Sequence, residues 1–131
     1  MEQLTVKSNK RVELIDITPE IEKIIYNQSI DSGVLFLYVP HTTAAITINE
    51  SADPSVKSDI IKELNKVIPF EDNYSHIEGN SAAHIKSSLI GCSEYIIISD
   101  AKPVLGRWQG IFFCEFDGPR KRKIDMKVLK N

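Results

Sequence analysis

GIFFCEFDGPRKRKIDMKVL, residues 110–129, is the stretch that decides the predicted fold. Residues 110–116 and 120–129 each place apolar side chains at the strand period of two, which indicates two β-strands. The intervening DGP at 117–119 has the composition of a turn. We therefore expect an antiparallel hairpin here and a fold dominated by antiparallel sheet.

Outward from this stretch, further segments predict strands at residues 4–7, 11–17, 34–39, 44–50 and 95–99. The apolar run at 34–39 predicts a strand that is buried on both faces, and the run at 95–99 predicts a buried strand. Three helices are expected, with starts capped at Thr18, Asp53 and Asn80. About seven or eight strands against three helices, without long βαβ alternation, favour an α+β fold with a two-layer antiparallel β-sandwich over a doubly wound sheet.

The composition is that of one ordinary globular domain. The chain has 131 residues, of which 42% are hydrophobic, so we expect a single domain over residues 1–131. No window approaches the about 18 apolar residues of a membrane span, and the N-terminus lacks a signal-peptide pattern. Two cysteines are too few for a secreted disulfide scaffold. These features predict a cytoplasmic protein without a membrane partner.

The net charge of −2 conceals a basic C-terminal segment, residues 119–131, with six basic residues and one acid. At the strand period, Arg120 and Arg122 continue the apolar line that leads to Ile124, while the lysines between them face the other way. Because only half of the run faces each side, we do not expect a nucleic-acid partner.

Two arginines on a core line need a partner, because buried charges are costly unless they are paired. Glu115 lies at the end of the preceding strand and is the candidate. Arg120 and Arg122 beside one carboxylate leave surplus positive charge, which suits a phosphate group. A structural ion-pair network and a subunit interface are the alternatives.

The three histidines, His41, His76 and His84, are candidates for acid–base or metal chemistry, since imidazole serves both near neutral pH. Their spacing matches no common metal motif, so three unrelated histidines remain the alternative. Glu50 ends an apolar strand face, and Asn80 shares a helix face with His84.

A second polar segment is Gly106-Arg107-Trp108-Gln109-Gly110, which contains the only tryptophan. Its glycines permit close backbone approach or unusual dihedral angles. The segment is either a loop that lines a ligand or a bulge that packs Trp108 against a neighbouring subunit.

Taken together, several of these segments resemble the YjbQ family. The resemblance extends over essentially the whole chain and rests on PHTTA at 40–44, NESADP at 49–54, HIEGN at 76–80 with His84, GRWQ at 106–109, and EFDGPR at 115–120 with Arg122. It implies a single-domain α+β protein with a jelly-roll-like β-sandwich that forms a homotrimer. Members are often labelled secondary thiamine-phosphate synthase, a weak activity that joins a phosphorylated thiazole to hydroxymethylpyrimidine pyrophosphate and releases pyrophosphate.

From the residues and the resemblance together, we expect a catalytic group of His41, His76, His84, Glu50 and Glu78. Substrate or phosphate binding is expected from Asn49, Asn80, Arg107, Gln109, Glu115, Arg120 and Arg122. The three histidines are also candidate ligands of a divalent metal, Zn²⁺ or Mg²⁺, and no organic cofactor is implied. The expected partners are a small phosphorylated metabolite and further copies of the chain. A zinc-dependent hydrolase and a non-catalytic trimer that binds an anionic metabolite remain the alternatives.

Overall fold

A computed structural model of the chain describes residues 2–131. Within that range the element order is β1 (Glu2–Lys7), β2 (Glu13–Asp16), α1 (Thr18–Asn27), β3 (Gly33–Tyr38), β4 (Ala44–Glu50), α2 (Pro54–Val67), α3 (Ser81–Ile90), β5 (Ser93–Ser99), β6 (Lys102–Pro103), β7 (Gln109–Glu115) and β8 (Lys121–Lys130).

The strands form two antiparallel sheets. One sheet has five strands in the order β1-β8-β3-β5-β6, and the other has three in the order β2-β7-β4. Isoleucines, leucines and Phe113 fill the space between the sheets, and α1 adds Ile21 and Ile25 to this core. The predicted α+β fold with three helices and two antiparallel sheets is therefore confirmed.

The predicted hairpin of residues 110–129 is wrong. β7 pairs with β2 and β4, whereas β8 pairs with β1 and β3 in the other sheet. Residues 116–120 thus cross from one sheet to the other. β7 is buried on both faces from Gly110 onward, whereas β8 alternates between buried and exposed residues, so the two strands have the burial patterns of different sheets.

Helices α2 and α3 cover the outer face of the three-stranded sheet. Phe112, Cys114 and Phe116 form a second core there, with partly buried side chains from α2 and Ile90 from α3. Cys114 is buried as predicted. Within residues 2–131, no helix is both long and apolar enough to cross a membrane.

Among residues 2–131, no helix covers the outer face of the five-stranded sheet. The predicted burial of β3 on both faces is therefore wrong, and β5, expected to be buried, is buried on one face only. The side chains of Phe36, Tyr38, Tyr95, Ile97 and Leu129 are 43% to 63% exposed. Cross-strand pairing places Tyr95 beside Phe36 and Ile97 beside Val34. We call these five side chains the outer apolar face.

Only one of the three expected helix caps is made by its side chain. Asp53 accepts a hydrogen bond from the Ser55 N–H, as predicted. Thr18 instead accepts from the Ile111 N–H at 2.8 Å and so ties α1 to β7. Asn80 precedes α3, but its amide bonds to side chains outside the helix.

Candidate functional site

Glu115 and Arg122 form a buried ion pair where the chain crosses between the sheets. Their side chains are 0% and 3% exposed. The Arg122 guanidinium donates from Nε to Glu115 Oε1 at 2.9 Å and from Nη2 to Thr43 Oγ1 at 2.8 Å. Ser8 donates to Glu115 Oε1 at 2.7 Å. The structure thus pairs Glu115 with Arg122 as expected, and protein groups satisfy both members.

Burial alone raises the pKa of Glu115, but the hydrogen bonds from Arg122, Ser8 and the Asp117 N–H outweigh it and hold that pKa below its ordinary value. Glu115 therefore stays ionised at neutral pH. Because Arg122 neutralises it in a buried setting, this pair does not leave the surplus positive charge that was expected for phosphate.

Arg120 has a different environment from Arg122. Its side chain is 50% exposed, so its expected place on the core line is wrong. The strand begins at Lys121, and Arg120 therefore belongs to the crossing segment. Its Nε donates to the Asp117 carbonyl oxygen at 2.9 Å, and its Nη2 lies 3.2 Å from Asp117 Oδ2.

A chain of hydrogen bonds connects Arg120 to the histidines. Asn80 Nδ2 donates to Asp117 Oδ2 at 3.0 Å, and His76 Nε2 lies 3.0 Å from Asn80 Oδ1. An amide oxygen only accepts, so His76 carries a proton on Nε2, and its neutral ring has a free lone pair on Nδ1. Asp117 is the centre of this chain. Sequence reasoning missed it because a polar residue in a turn has an ordinary local explanation.

His84 lies between the other two histidines. Its ring meets that of His76 edge to face, with 5.7 Å between centroids. With His41 it lines a cavity of about 370 Å³ that also exposes Thr42, Ser87, Ser88 and Cys92. With His76 it lines a second cavity of about 500 Å³. We call these two cavities, which share His84, the histidine cleft.

His41 continues the sheet where β3 ends. β3 pairs with β8 as far as Tyr38 opposite Asp125. Beyond that point, the Lys123 N–H donates to His41 Nε2 at 3.0 Å. Burial and the nearby Arg122 charge lower the pKa of His41. The neutral ring therefore carries its proton on Nδ1, the opposite tautomer to that of His76.

The expected three-histidine metal site does not fit this arrangement of donors. The Lys123 N–H occupies His41 Nε2, and His76 Nε2 is bonded to Asn80. Over the described range 2–131, no three His, Cys, Asp or Glu side chains are grouped so that they could hold a metal ion.

Ser87, on α3 one turn after His84, is a further cleft residue that the sequence did not reveal. It is 7% exposed, and its Oγ is the one buried side-chain oxygen or nitrogen without a hydrogen-bond partner among residues 2–131. A buried unpaired hydroxyl is unfavourable, and this serine lines the cavity that His41 and His84 also line. No sequence signal separates such a serine from an ordinary helix residue.

Four expected site residues lie at the opposite end of the β4–β7 pair. Glu50 is opposite Gln109, whereas Ala44 is opposite Glu115, six residues away. At about 3.4 Å per residue this separation is about 20 Å. The distant group, which we call the Trp108 group, comprises Asn49, Glu50, Arg107, Trp108 and Gln109.

The side chains of the Trp108 group are bonded locally. Glu50 accepts from the Ala52 N–H at 3.0 Å, and Asn49 accepts from the Glu50 N–H at 2.7 Å. Gln109 accepts from the Gly106 N–H at 2.7 Å, and the Arg107 guanidinium lies over the Trp108 ring at 4.7 Å. These contacts hold a loop, and they do not bring Glu50 to the histidines.

Glu78 is the remaining expected catalytic residue. Its carboxylate lies 3.8 Å from His76 Nε2, and its side chain is 73% exposed. A carboxylate so exposed interacts weakly with its partner, since solvent screens the charges. Of the expected acids, Glu78 is beside the histidine cleft and Glu50 is not.

The fold and the cleft define an α+β domain of two antiparallel sheets with a polar, histidine-containing site at the crossing between them. The chain belongs to the YjbQ family: the family described as UPF0047 protein YjbQ-like matches residues 2–131. The expected resemblance is therefore confirmed over nearly the whole chain.

Similar proteins occur in archaea and bacteria. A UPF0047 protein of Methanocaldococcus jannaschii is 60% identical, over 95% of this chain and 90% of the relative. UPF0047 protein YugU of Bacillus subtilis is 48% identical over 98% of each chain. The crystal structure of an uncharacterised conserved YjbQ/UPF0047 protein from Clostridium acetobutylicum is 47% identical and has a TM-score of 0.95, covering 98% of this chain and all of that one.

Proposed function

We propose that this protein is a cytoplasmic enzyme that acts on a small phosphorylated metabolite in the histidine cleft. The observation that carries the proposal is the hydrogen-bond chain from His76 through Asn80 and Asp117 to Arg120. It joins an imidazole to a half-exposed guanidinium. Imidazole can transfer protons near neutral pH, and guanidinium binds phosphate, so the two groups suit phosphate-release chemistry.

The reaction that the family resemblance suggests is thiamine-phosphate synthesis. A bond forms between the thiazole nitrogen and the pyrimidine methylene carbon, while the bond from that carbon to a pyrophosphate oxygen breaks. The leaving group gains negative charge as it departs, so a positive or proton-donating group beside it favours the step. His41 Nδ1–H and the Arg120 guanidinium are the hydrogen-bond donors for this role. The thiazole nitrogen becomes quaternary without losing a proton, so the step needs no base, and His76 contributes by holding Asn80 in the hydrogen-bond chain that ends at Arg120.

A non-catalytic protein that binds an anionic metabolite is the second candidate. The observation that favours it is that Arg122 and His41 are held by protein partners, as structural residues are. A three-histidine zinc hydrolase has less support, because His41 Nε2 is occupied by the Lys123 N–H.

The test is direct synthesis. Purified protein is incubated with both thiamine precursors and Mg²⁺, and thiamine phosphate is quantified by chromatography. We expect turnover that falls at least tenfold in His84→Ala and is unchanged in Glu22→Ala, an exposed control on α1. Equal turnover by the wild type and His84→Ala would show that the cleft does not carry this chemistry. Binding of pyrophosphate without any turnover would favour the second candidate.

We also propose that the sandwich is jelly-roll-like and assembles as a homotrimer through the outer apolar face. Exposed apolar patches of this kind mark interfaces more often than free surface. Light scattering should give three times 14.8 kDa, or about 44 kDa. Phe36→Glu with Tyr95→Glu should reduce the mass, whereas Tyr26→Glu, at an exposed aromatic on α1, should not. A monomeric wild type would contradict this assembly.

A further inference from the structure

A third cavity lies outside the histidine cleft, where β1 ends and β8 begins. It has a volume of about 370 Å³ and is lined by Lys7, Ser8, Pro119, Arg120 and Lys121. Three of these five residues are cationic, and none of them is acidic. We call it the basic cavity.

The strand register concentrates the charge in the basic cavity. Lys7 and Lys121 are directly opposite each other in the β1–β8 pair. Like charges at opposed positions of antiparallel strands are destabilising. The next pair along that shares their face is Thr5 with Lys123, so the repulsion is confined to the cavity.

The two acids at the crossing between the sheets do not neutralise these lysines. Glu115 is buried against Arg122, and Asp117 is bonded to Arg120 and Asn80. In the part of the chain that the structure describes, neither Lys7 nor Lys121 takes part in an ion pair. The basic cavity therefore keeps positive charge that the protein itself does not compensate.

Arg120 is held in place at the edge of the cavity. Its backbone N–H donates to Ser8 Oγ at 2.9 Å, and the Ser8 N–H donates to the Arg120 carbonyl oxygen at 3.0 Å. Its side chain is fixed by Nε and Nη2 on Asp117. A positioned guanidinium loses little further conformational entropy when it binds an anion, in contrast to a free surface arginine.

We propose that the basic cavity binds the phosphate or pyrophosphate group of the substrate, through Lys7, Arg120 and Lys121. This inference rests on the proposed function and adds Lys7 and Lys121 to Arg120 as anion-binding residues. Arg122, which the sequence led us to expect in that role, is instead paired with Glu115. Two ammonium groups and a guanidinium around one cavity match a multiply charged tetrahedral oxyanion.

Titration calorimetry with inorganic pyrophosphate on the full chain, at low ionic strength, tests the site. We expect the double variant Lys7→Ala with Lys121→Ala to weaken binding by more than about tenfold, since each charge-assisted contact contributes at least that much. Lys7→Arg, which keeps the positive charge, should retain most of the pyrophosphate binding that Lys7→Ala loses. Inorganic phosphate should bind more weakly than pyrophosphate if the cavity takes the larger group, and equally if it takes one phosphate.

Lys123→Ala is the matched control, since Lys123 lies two residues along β8 on the same face as Lys121 and opposite Thr5. It should change binding less than twofold. An equal loss in Lys123→Ala, an unaffected double variant, or no binding by the wild type would each overturn the site. Loss in the double variant without any thiamine phosphate synthesis would leave the site standing and refute the synthase alone. Synthesis that is insensitive to both lysines would refute the site alone.

Discussion

Removal of the Glu115 carboxylate should destabilise the fold more than any exposed acidic substitution. Glu115→Ala leaves the Arg122 guanidinium, 3% exposed, with Thr43 as its remaining partner. Breaking a buried pair by removing one member costs about 3–5 kcal/mol, because the other charge stays buried without compensation. A domain of this kind has a total unfolding free energy of about 5–15 kcal/mol, so the loss is a large fraction of it.

Urea unfolding followed by circular dichroism measures this loss. Glu13→Ala is the matched control, because Glu13 is opposite Glu115 in the β2–β7 pair and its carboxylate accepts a hydrogen bond from the exposed Asn9 N–H. The control should cost about 1 kcal/mol or less. A Glu115→Ala variant within 1 kcal/mol of the wild type would refute the view that this pair is a buried, mutually dependent unit.

The pH dependence has a definite sign. The pKa of Glu115 in the folded protein is below its ordinary value of 4.5, so the folded state binds fewer protons than the unfolded state between the two values. The stabilisation is complete above pH 4.5 and is lost as the pH falls through the folded pKa. In Glu115→Gln the unfolding free energy should fall less steeply as the pH decreases below 4.5, whereas in Glu13→Gln this pH dependence should be unchanged.

Three further outcomes are expected. Ser87→Ala should leave the unfolding free energy unchanged or raise it by about 1 kcal/mol, because it removes a buried unpaired hydroxyl; a loss above 1 kcal/mol would show that Ser87 is structural. Burial and the Arg11 charge lower the Lys86 pKa from 10.5 to about 8 in the folded protein. Between pH 8 and 10.5 the unfolded state therefore binds more protons, so the unfolding free energy should rise with pH in this range. The rise should be absent in Lys86→Met. An aromatic disulfide reagent should react rapidly with one thiol per native chain, that of the exposed Cys92. The Cys114 thiol should not react, because burial and the Glu94 charge raise its pKa to about 12. Two rapidly reacting thiols would contradict the burial of Cys114 in β7.

Local signals predicted the elements well because their causes are local. Asp53 followed by proline starts α2 where expected, and the alternation of residues 44–50 gives β4 with the same bounds. Sheet membership is not local. A strand period tells which side chains share a face, but it does not tell which strand lies beside it, so β7 and β8 were wrongly joined. Similarly, an apolar run such as β3 has the same sequence whether a helix or another subunit covers its second face.

The site was predictable where burial forces a partner. An arginine that continues a line of buried apolar side chains needs a carboxylate partner, and Glu115 at the end of the preceding strand was the candidate for Arg122. Arg120 was misplaced because the ends of predicted strands are uncertain by a residue or two: β8 begins at Lys121, so the strand period does not extend to Arg120. Asp117 was missed because its role depends on a contact with Asn80, 37 positions away. Ser87 was missed because only the folded structure shows that its hydroxyl is buried without a partner.

The crossing segment 116–120 and the residues beside it have two separate roles, one in stability and one in anion binding. On its inner side, Glu115 and Arg122 close the joint between the sheets and are satisfied by the protein. On its outer side, Asp117 orients Arg120 and also holds Asn80, so that the guanidinium and the histidines are fixed to the same carboxylate. A substitution of Glu115 or Arg122 should therefore lower the unfolding free energy first, because it leaves a buried charge without its partner. A lesion at half-exposed Arg120 costs little stability and must appear first in anion binding, which is why the two arginines, only two residues apart, have opposite experimental signatures.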